Sequence, residues 1–288
     1  MLESVAEYRK EMSLPLNSVV VGDSADVLKT FPDGSIHCVV TSPPYDAARV
    51  YNGFVFRFEE IAKELYRVLV DGGSMIWVVQ NTVPDGEGET LTAQDQSIFF
   101  VRQCGFWLYD TLIYAKDARY PEETRYRQAW EYMFHFTKGK PKTTNLLKDH
   151  KTVSYWVHKW RRNHSSNRQE DGTVSETKDY GVHPFQTREN VWYYANGFMK
   201  SSKDKIAFEH PAIFPDALAE DHVLSWSNPG DIVLDPFAGS GTTLKAAAKH
   251  RRKWIGIEIS EEYAALARKR TVKIDQNETL TDLLFPSG

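Results

Sequence analysis

Two hydrophobic periods divide this chain. Runs of consecutive apolar, largely β-branched residues stand at Ser18-Val19-Val20-Val21, from Ile36 and Cys38 through Val39-Val40-Thr41, and at Met75-Ile76-Trp77-Val78-Val79. Others lie at residues 108–114 and 132–136, Ile232-Val233-Leu234 and Ile255-Gly256-Ile257-Glu258, and all read as buried strands. Between them the period lengthens to 3.6. Phe58, Ile61, Ala62, Leu65, Val68 and Leu69 line one face of a helix, and Asp71-Gly72-Gly73 reads as its stop. A shorter helix is expected near residues 26–28, another at about 94–104, and an Ala-rich one up to about His250, whereas residues 80–92 are too rich in Gly, Asp and Thr to be regular. Strands alternating with helices predict an α/β fold with a mostly parallel, doubly wound sheet covered on both faces.

Composition narrows the class. The chain has 288 residues, 41% of them hydrophobic, enough for one large α/β domain or a domain with an insertion. Residues 1–18 are charged and contain no apolar run of signal-peptide or membrane-span length, so the protein is expected in the cytoplasm, with no membrane association. Two cysteines, Cys38 and Cys104, are too few for a disulfide framework or a zinc site; both read as core, and no metal is expected. Charge is uneven: residues 138–205 carry about 14 Lys or Arg against about 7 Asp or Glu, near +7 in a chain of net −4. The segment interleaves Tyr155-Trp156, His158-Lys159-Trp160-Arg161-Arg162, Asn163, His164, Asn167 and Arg168, with Asn190-Val191-Trp192-Tyr193-Tyr194 further on. Such side chains suit phosphate contacts and base-edge hydrogen bonds, and equally a solvated polar insertion.

Two stretches carry chemistry. The strand at Val39-Val40-Thr41 ends abruptly at Ser42-Pro43-Pro44-Tyr45, where neither proline offers an N–H. The Ser42 hydroxyl and the Pro43 carbonyl are acceptors for the two protons of an exocyclic amine on a planar ring, and Tyr45 is a flat face on which that ring can stack. The second stretch is Asp235-Pro236-Phe237-Ala238-Gly239-Ser240-Gly241-Thr242-Thr243, a glycine turn between a strand and a helix that lets a ligand approach the backbone at a helix N-terminus. Glu258 ends the next strand, placed for a ribose diol. Asp23 follows the first strand and reads either as a helix cap or as a ligand contact at the carboxyl edge.

Ser42-Pro43-Pro44-Tyr45 matches the [Asp/Asn/Ser]-Pro-Pro-[Tyr/Phe/Trp] motif of DNA amino-methyltransferases, and the Asp235 string resembles their S-adenosylmethionine motif. Glu209-His210-Pro211-Ala212-Ile213-Phe214-Pro215 resembles the segment that precedes the latter. The order of catalytic motif, basic insertion and cofactor motif is that of the circularly permuted β class, with a Rossmann-like sheet. The resemblance implies three parts: a catalytic half at 1–137, a target-recognition insertion at 138–205 and a cofactor half at 206–288. It implies that Ser42, Pro43, Pro44 and Tyr45 are catalytic. It places S-adenosylmethionine against Asp23, His210, Phe214, Asp235, Pro236, Phe237, Gly239, Ser240, Gly241, Thr242 and Glu258, with Thr242 preferred to Thr243 as a contact. Double-stranded DNA would meet Arg49, Lys159, Arg161, Arg162, Asn163 and Arg168. The target base would be flipped out and methylated by direct displacement. No Pro-Cys pair is present for attack through cytosine C5. Ser at the first motif position marks N4-cytosine enzymes, yet the run from Thr41 to Gly53 resembles stand-alone enzymes of the adenine N6 type, and adenine is favoured. A binding protein that has lost catalysis would have no need of the full motif set. A homodimer is compatible with the class, and any paired endonuclease would be a separate chain.

Overall fold

A computed structural model describes residues 13–44, 55–84, 88–117, 125–151, 166–168, 171–176, 184–197, 199–209 and 215–284. It divides into two compact units, Met1–Asn145 with Asn190–Gly288, and Leu146–Glu189. The strands are β1 (Ser18–Val21), β2 (Ile36–Thr41), β3 (Leu69–Val79), β4 (Trp107–Ala115), β5 (Trp130–Thr137), β6 (His150–Lys151), β7 (Ser166–Arg168), β8 (Val174–Glu176), β9 (Phe185–Gln186), β10 (Val191–Tyr193), β11 (Ile232–Asp235) and β12 (Lys253–Glu258). The helices are α1 (Ser24–Val27), α2 (Phe58–Val68), α3 (Thr92–Phe99), α4 (Asp216–Trp226), α5 (Thr242–Lys249) and α6 (Glu261–Leu284).

The larger unit is built on one sheet ordered β1-β12-β11-β2-β3-β5-β4-β10. Its pairs are parallel except those that β5 makes with β3 and β4. From β11 the chain crosses through α5 to β12 on one side, and from β2 it crosses through α2 to β3 on the other. Right-handed crossovers running in opposite directions put their helices on opposite faces, so the order reverses between β11 and β2. At such a reversal the strand ends diverge into a crevice. The smaller unit consists, among the described residues, of two antiparallel ribbons, β6 with β9 and β7 with β8.

The core explains why these segments hold. Helix α2 buries Ile61, Ala62, Leu65 and Val68, the stripe expected from its period. Trp77 of β3 lies fully buried, with its ring centroid 5.0 Å from that of Phe100, and its indole N–H donates to Gln96 Oε1 at 2.8 Å. Phe100 opens a π-helical turn, Phe100–Cys104, that closes on Gly105 at φ 91° and continues α3.

Two sequence expectations change. Asp71-Gly72-Gly73 does not stop α2. The helix ends at Val68, Leu69 is already extended, and the two glycines lie inside β3. Pairing jumps there from Ile36↔Leu69 to Cys38↔Ser74, so the glycines sit in a bulge. Gly72 has φ +78°, and a Cβ on Gly73 would meet the carbonyl oxygens of Val70 and His37 at 2.9 and 3.0 Å. Trp192, read among the nucleic-acid-facing aromatics, is instead 6% exposed on the edge strand β10 and stacks on His222 at 4.7 Å. A large apolar ring next to a helix is worth more buried than solvated.

Candidate active site at the carboxyl edge of the sheet

Strands β11 and β2 pair in parallel through Val233↔Cys38 and Leu234↔Val39, so both end at one edge. One step on, the Thr41 hydroxyl donates to Asp235 Oδ1 at 2.6 Å across 194 positions of sequence. The Thr243 hydroxyl donates to the Val40 carbonyl at 3.0 Å, and the Ser24 hydroxyl donates to the Pro236 carbonyl. Asp235 is 1% exposed, and burial pushes its carboxyl up to about 6 against the hydrogen bonds from Thr41 and the Phe237 N–H. Its role in the folded chain is to tie the loop after β11 to the end of β2. No sequence pattern marks Thr41 as its partner, because the contact exists only once the two strands are neighbours.

The glycine turn follows. Gly239 and Gly241 have φ 49° and 77°, conformations that favour glycine. The Gly239 N–H donates to Glu258 Oε2 at 2.8 Å, and the Ser260 N–H to Glu258 Oε1 at 3.0 Å. Glu258 is 9% exposed and its carboxyl is raised by burial. Each of its oxygens keeps a further lone pair, the acceptor capacity that a vicinal diol requires. A Cβ on Gly241 would stand 2.9 Å from Ala267 Cβ, so only glycine lets this turn pack against α6. Small residues with reversed φ and a carboxylate at the neighbouring strand end suit the close backbone approach and ribose contact of a nucleoside ligand. These residues fit S-adenosylmethionine.

Around that turn, Phe237 meets Phe56 edge-on at 5.6 Å and Trp77 at 6.0 Å, joining the turn to the aromatic core. Asp23 caps α1, accepting the Ala25 N–H at 2.8 Å, and its other oxygen lies 3.4 Å from Arg57 Nη1. Thr242 does not cap α5, whose N-cap is Gly241. Thr242 is buried, and its hydroxyl accepts from Arg270 at 3.2 Å. Thr243, ranked second from sequence, is buried as well, and its hydroxyl is the one that bonds the Val40 carbonyl.

Past Thr41 the chain leaves the ladder at Ser42-Pro43-Pro44, with Pro43 buried and its two neighbours half-buried. Ser42 therefore stands beside the Asp235 loop at the reversal point. Tyr45, Arg49, Lys159, Arg161, Arg162, Asn163, His210 and Phe214 lie outside the described residues. Arg168 ends β7 in the smaller unit. Cys38 is fully buried and its thiol is pushed up by desolvation; Cys104 is half-buried and raised to about 11 for the same reason. Neither is a thiolate nucleophile at neutral pH. Among the described residues no helix is long and apolar enough to cross a membrane, and no cluster of three metal-ligating side chains occurs.

Comparison with known proteins finds a match to the DNA methylase family model over residues 36–269. An orphan methyltransferase of Bacillus amyloliquefaciens, M.BamHII, is 52% identical over 240 residues, covering 83% of this chain and 89% of its own. TTHA0409 of Thermus thermophilus, a candidate DNA modification methylase solved in complex with S-adenosyl-L-methionine, superposes with a TM-score of 0.60 at 27% identity. That alignment covers 89% of this chain and 93% of that one. The PvuII DNA methyltransferase, described as cytosine-N4-specific, superposes with a TM-score of 0.63 at 22% identity over 90% of each chain, which shows a shared fold.

Proposed function

The chain belongs to the N6/N4 DNA methylase family and is an S-adenosylmethionine-dependent DNA methyltransferase; from that premise we propose that Ser42 and the glycine turn form one site that methylates the exocyclic amine of a flipped-out base. The observation that carries this reading is the Thr41–Asp235 hydrogen bond, which fixes the root of the acceptor motif to the root of the donor motif.

Within the site, Glu258 binds the ribose diol and the Gly239–Gly241 turn accommodates the rest of the nucleoside, while Asp23 borders the adenine. When bound, S-adenosylmethionine supplies an electrophilic methyl group on a sulfonium. Ser42 Oγ and the Pro43 carbonyl hold the two amine protons, which localises the nitrogen lone pair and turns it towards the donor. Tyr45 stacks on the ring. Alignment of the two reactants supplies much of the rate, since a positioned pair reacts at effective concentrations far above those in solution. Ser42 is a neutral acceptor rather than a strong base, so the extra proton leaves to solvent after transfer. Extrusion from the duplex costs a few kcal/mol, which contacts from the basic segment around Lys159, Arg161, Arg162, Asn163 and Arg168 offset.

For the base, the run from Thr41 to Gly53 favours adenine N6. A second reading, cytosine N4, is favoured by the serine at position 42. The test is incubation of the purified protein with tritiated S-adenosylmethionine and plasmid DNA, followed by nucleoside chromatography. Label in N6-methyladenosine or N4-methylcytidine deoxynucleosides supports the proposal and names the base. Label that persists in Ser42→Ala, or resides in 5-methylcytosine, refutes it.

A further inference from the structure

Arg270 is the fully buried cation beneath the glycine turn. It lies on α6, with no exposed side-chain surface, and reaches four residues with five hydrogen bonds. Nη1 donates to the Ser240 carbonyl at 2.7 Å, to Ser240 Oγ at 2.8 Å and to Thr242 Oγ1 at 3.2 Å. Nη2 donates to Asp216 Oδ1 at 3.1 Å and Nε to Asp204 Oδ2 at 3.2 Å. Asp216 and Asp204 bracket in sequence the segment containing His210 and Phe214, and their ends are joined. The Asp216 N–H donates to the Ser201 carbonyl at 2.9 Å, and Ser202 Oγ donates to Asp216 Oδ2 at 2.8 Å.

We propose that Arg270 is a positioning residue for the cofactor, a fork that locks the glycine turn to both roots of the 205–215 segment. The inference rests on the cofactor placement proposed above. A buried guanidinium is retained only where its charge is paired and its nitrogens are bonded, and here two carboxylates and the turn give each of the three nitrogens an acceptor. Drawing the Ser240 carbonyl inward, between two glycines of positive φ, fixes the turn in which the Gly239 N–H holds Glu258 and the Gly241 N–H closes on the Ala238 carbonyl. Lysine can carry the charge but not the planar fork, so it cannot reach all four residues at once.

The experiment compares wild type, Arg270→Lys, and Arg270→Met combined with Asp204→Asn. In the double variant the carboxylate left by Arg270 is neutralised, while Asp216 keeps Lys245 at 2.8 Å. S-adenosylmethionine affinity is measured by calorimetry, and methylation kinetics are measured for both substrates alongside thermal melting. The expected result is an affinity loss of about tenfold in Arg270→Lys, matched in the cofactor KM, with kcat at saturating cofactor and the KM for DNA within about threefold of wild type. The double variant is expected to melt near wild type and still bind the cofactor weakly. Affinity within about twofold of wild type in folded Arg270→Lys, or affinity and melting temperature recovering together in the double variant, overturns the proposal. Wild-type protein that binds no S-adenosylmethionine overturns the cofactor placement itself, and this inference with it.

Discussion

Replacing Asp235 by asparagine probes the junction of the two motifs without removing its hydrogen bonds. The carbonyl oxygen of the new side chain can still accept from Thr41 Oγ1 and the Phe237 N–H, which lie 2.6 and 3.1 Å from Asp235 Oδ1. What changes is the charge. Burial raises the Asp235 carboxyl from 3.8 to about 6, so the folded protein holds this proton more tightly than the unfolded chain does. Stability is therefore lost as pH rises between those values, and none of it returns at neutral pH. A displacement of about 2 pH units corresponds to roughly 3 kcal/mol, and about half of that falls between pH 5 and 7.5. Urea unfolding of both proteins at several pH values isolates the group, because other titrations cancel in the difference. The stability of Asp235→Asn relative to wild type should rise by roughly 1.5 kcal/mol from pH 5 to pH 7.5. A difference that is flat with pH would show that burial does not penalise this carboxylate, and a variant much less stable throughout would show that asparagine cannot keep the link.

Other expectations follow from single contacts. Burial depresses His135, 0% exposed on β5, to about 3, so below pH 6.5 the unfolded chain gains a proton that the folded chain refuses. Stability should fall as pH drops from 6.5 towards 3, and His135→Phe should remove roughly 2 kcal/mol of the loss between pH 7.5 and pH 5 in urea melts. Ser42→Ala should lower kcat by about 10²-fold or more with cofactor affinity within about twofold, by single-turnover methylation and calorimetry; equal loss in both would place Ser42 in cofactor binding. Gly241→Ala meets both a φ of 77° and Ala267 at 2.9 Å, and should destabilise by more than about 1 kcal/mol while weakening cofactor binding.

Elements whose pattern is local were legible in the sequence. The strands ending at Val21, Thr41, Asp235 and Glu258 lie where their β-branched runs placed them, and so does the buried face of α2. What escaped depends on neighbours distant in sequence. The bulge at Gly72 and Gly73 imitates a helix stop, because a glycine at positive φ such as Gly72 serves either, and only the backbone bonds of the two glycines to Lys138 and Lys142 tell them apart. Trp192 looked like a surface aromatic in a basic segment because nothing nearby announces His222. Arg270 was missed for the same reason. It is one more basic residue on a helix, and the only sequence hint is its place beside Ala264, Ala267 and Thr271 on the buried face. The glycine turn was readable as a motif, but its fastening to β2 through Thr41 and to α6 through Arg270 was not.

A crystal structure of the protein with a non-reactive S-adenosylmethionine analogue would show whether the two motifs share one site. The ribose diol is expected on Glu258, the ligand along Gly239–Gly241, and the sulfur end turned towards Ser42 past the Thr41–Asp235 link. An analogue bound away from the glycine turn, or with its sulfur end directed away from Ser42, would contradict it.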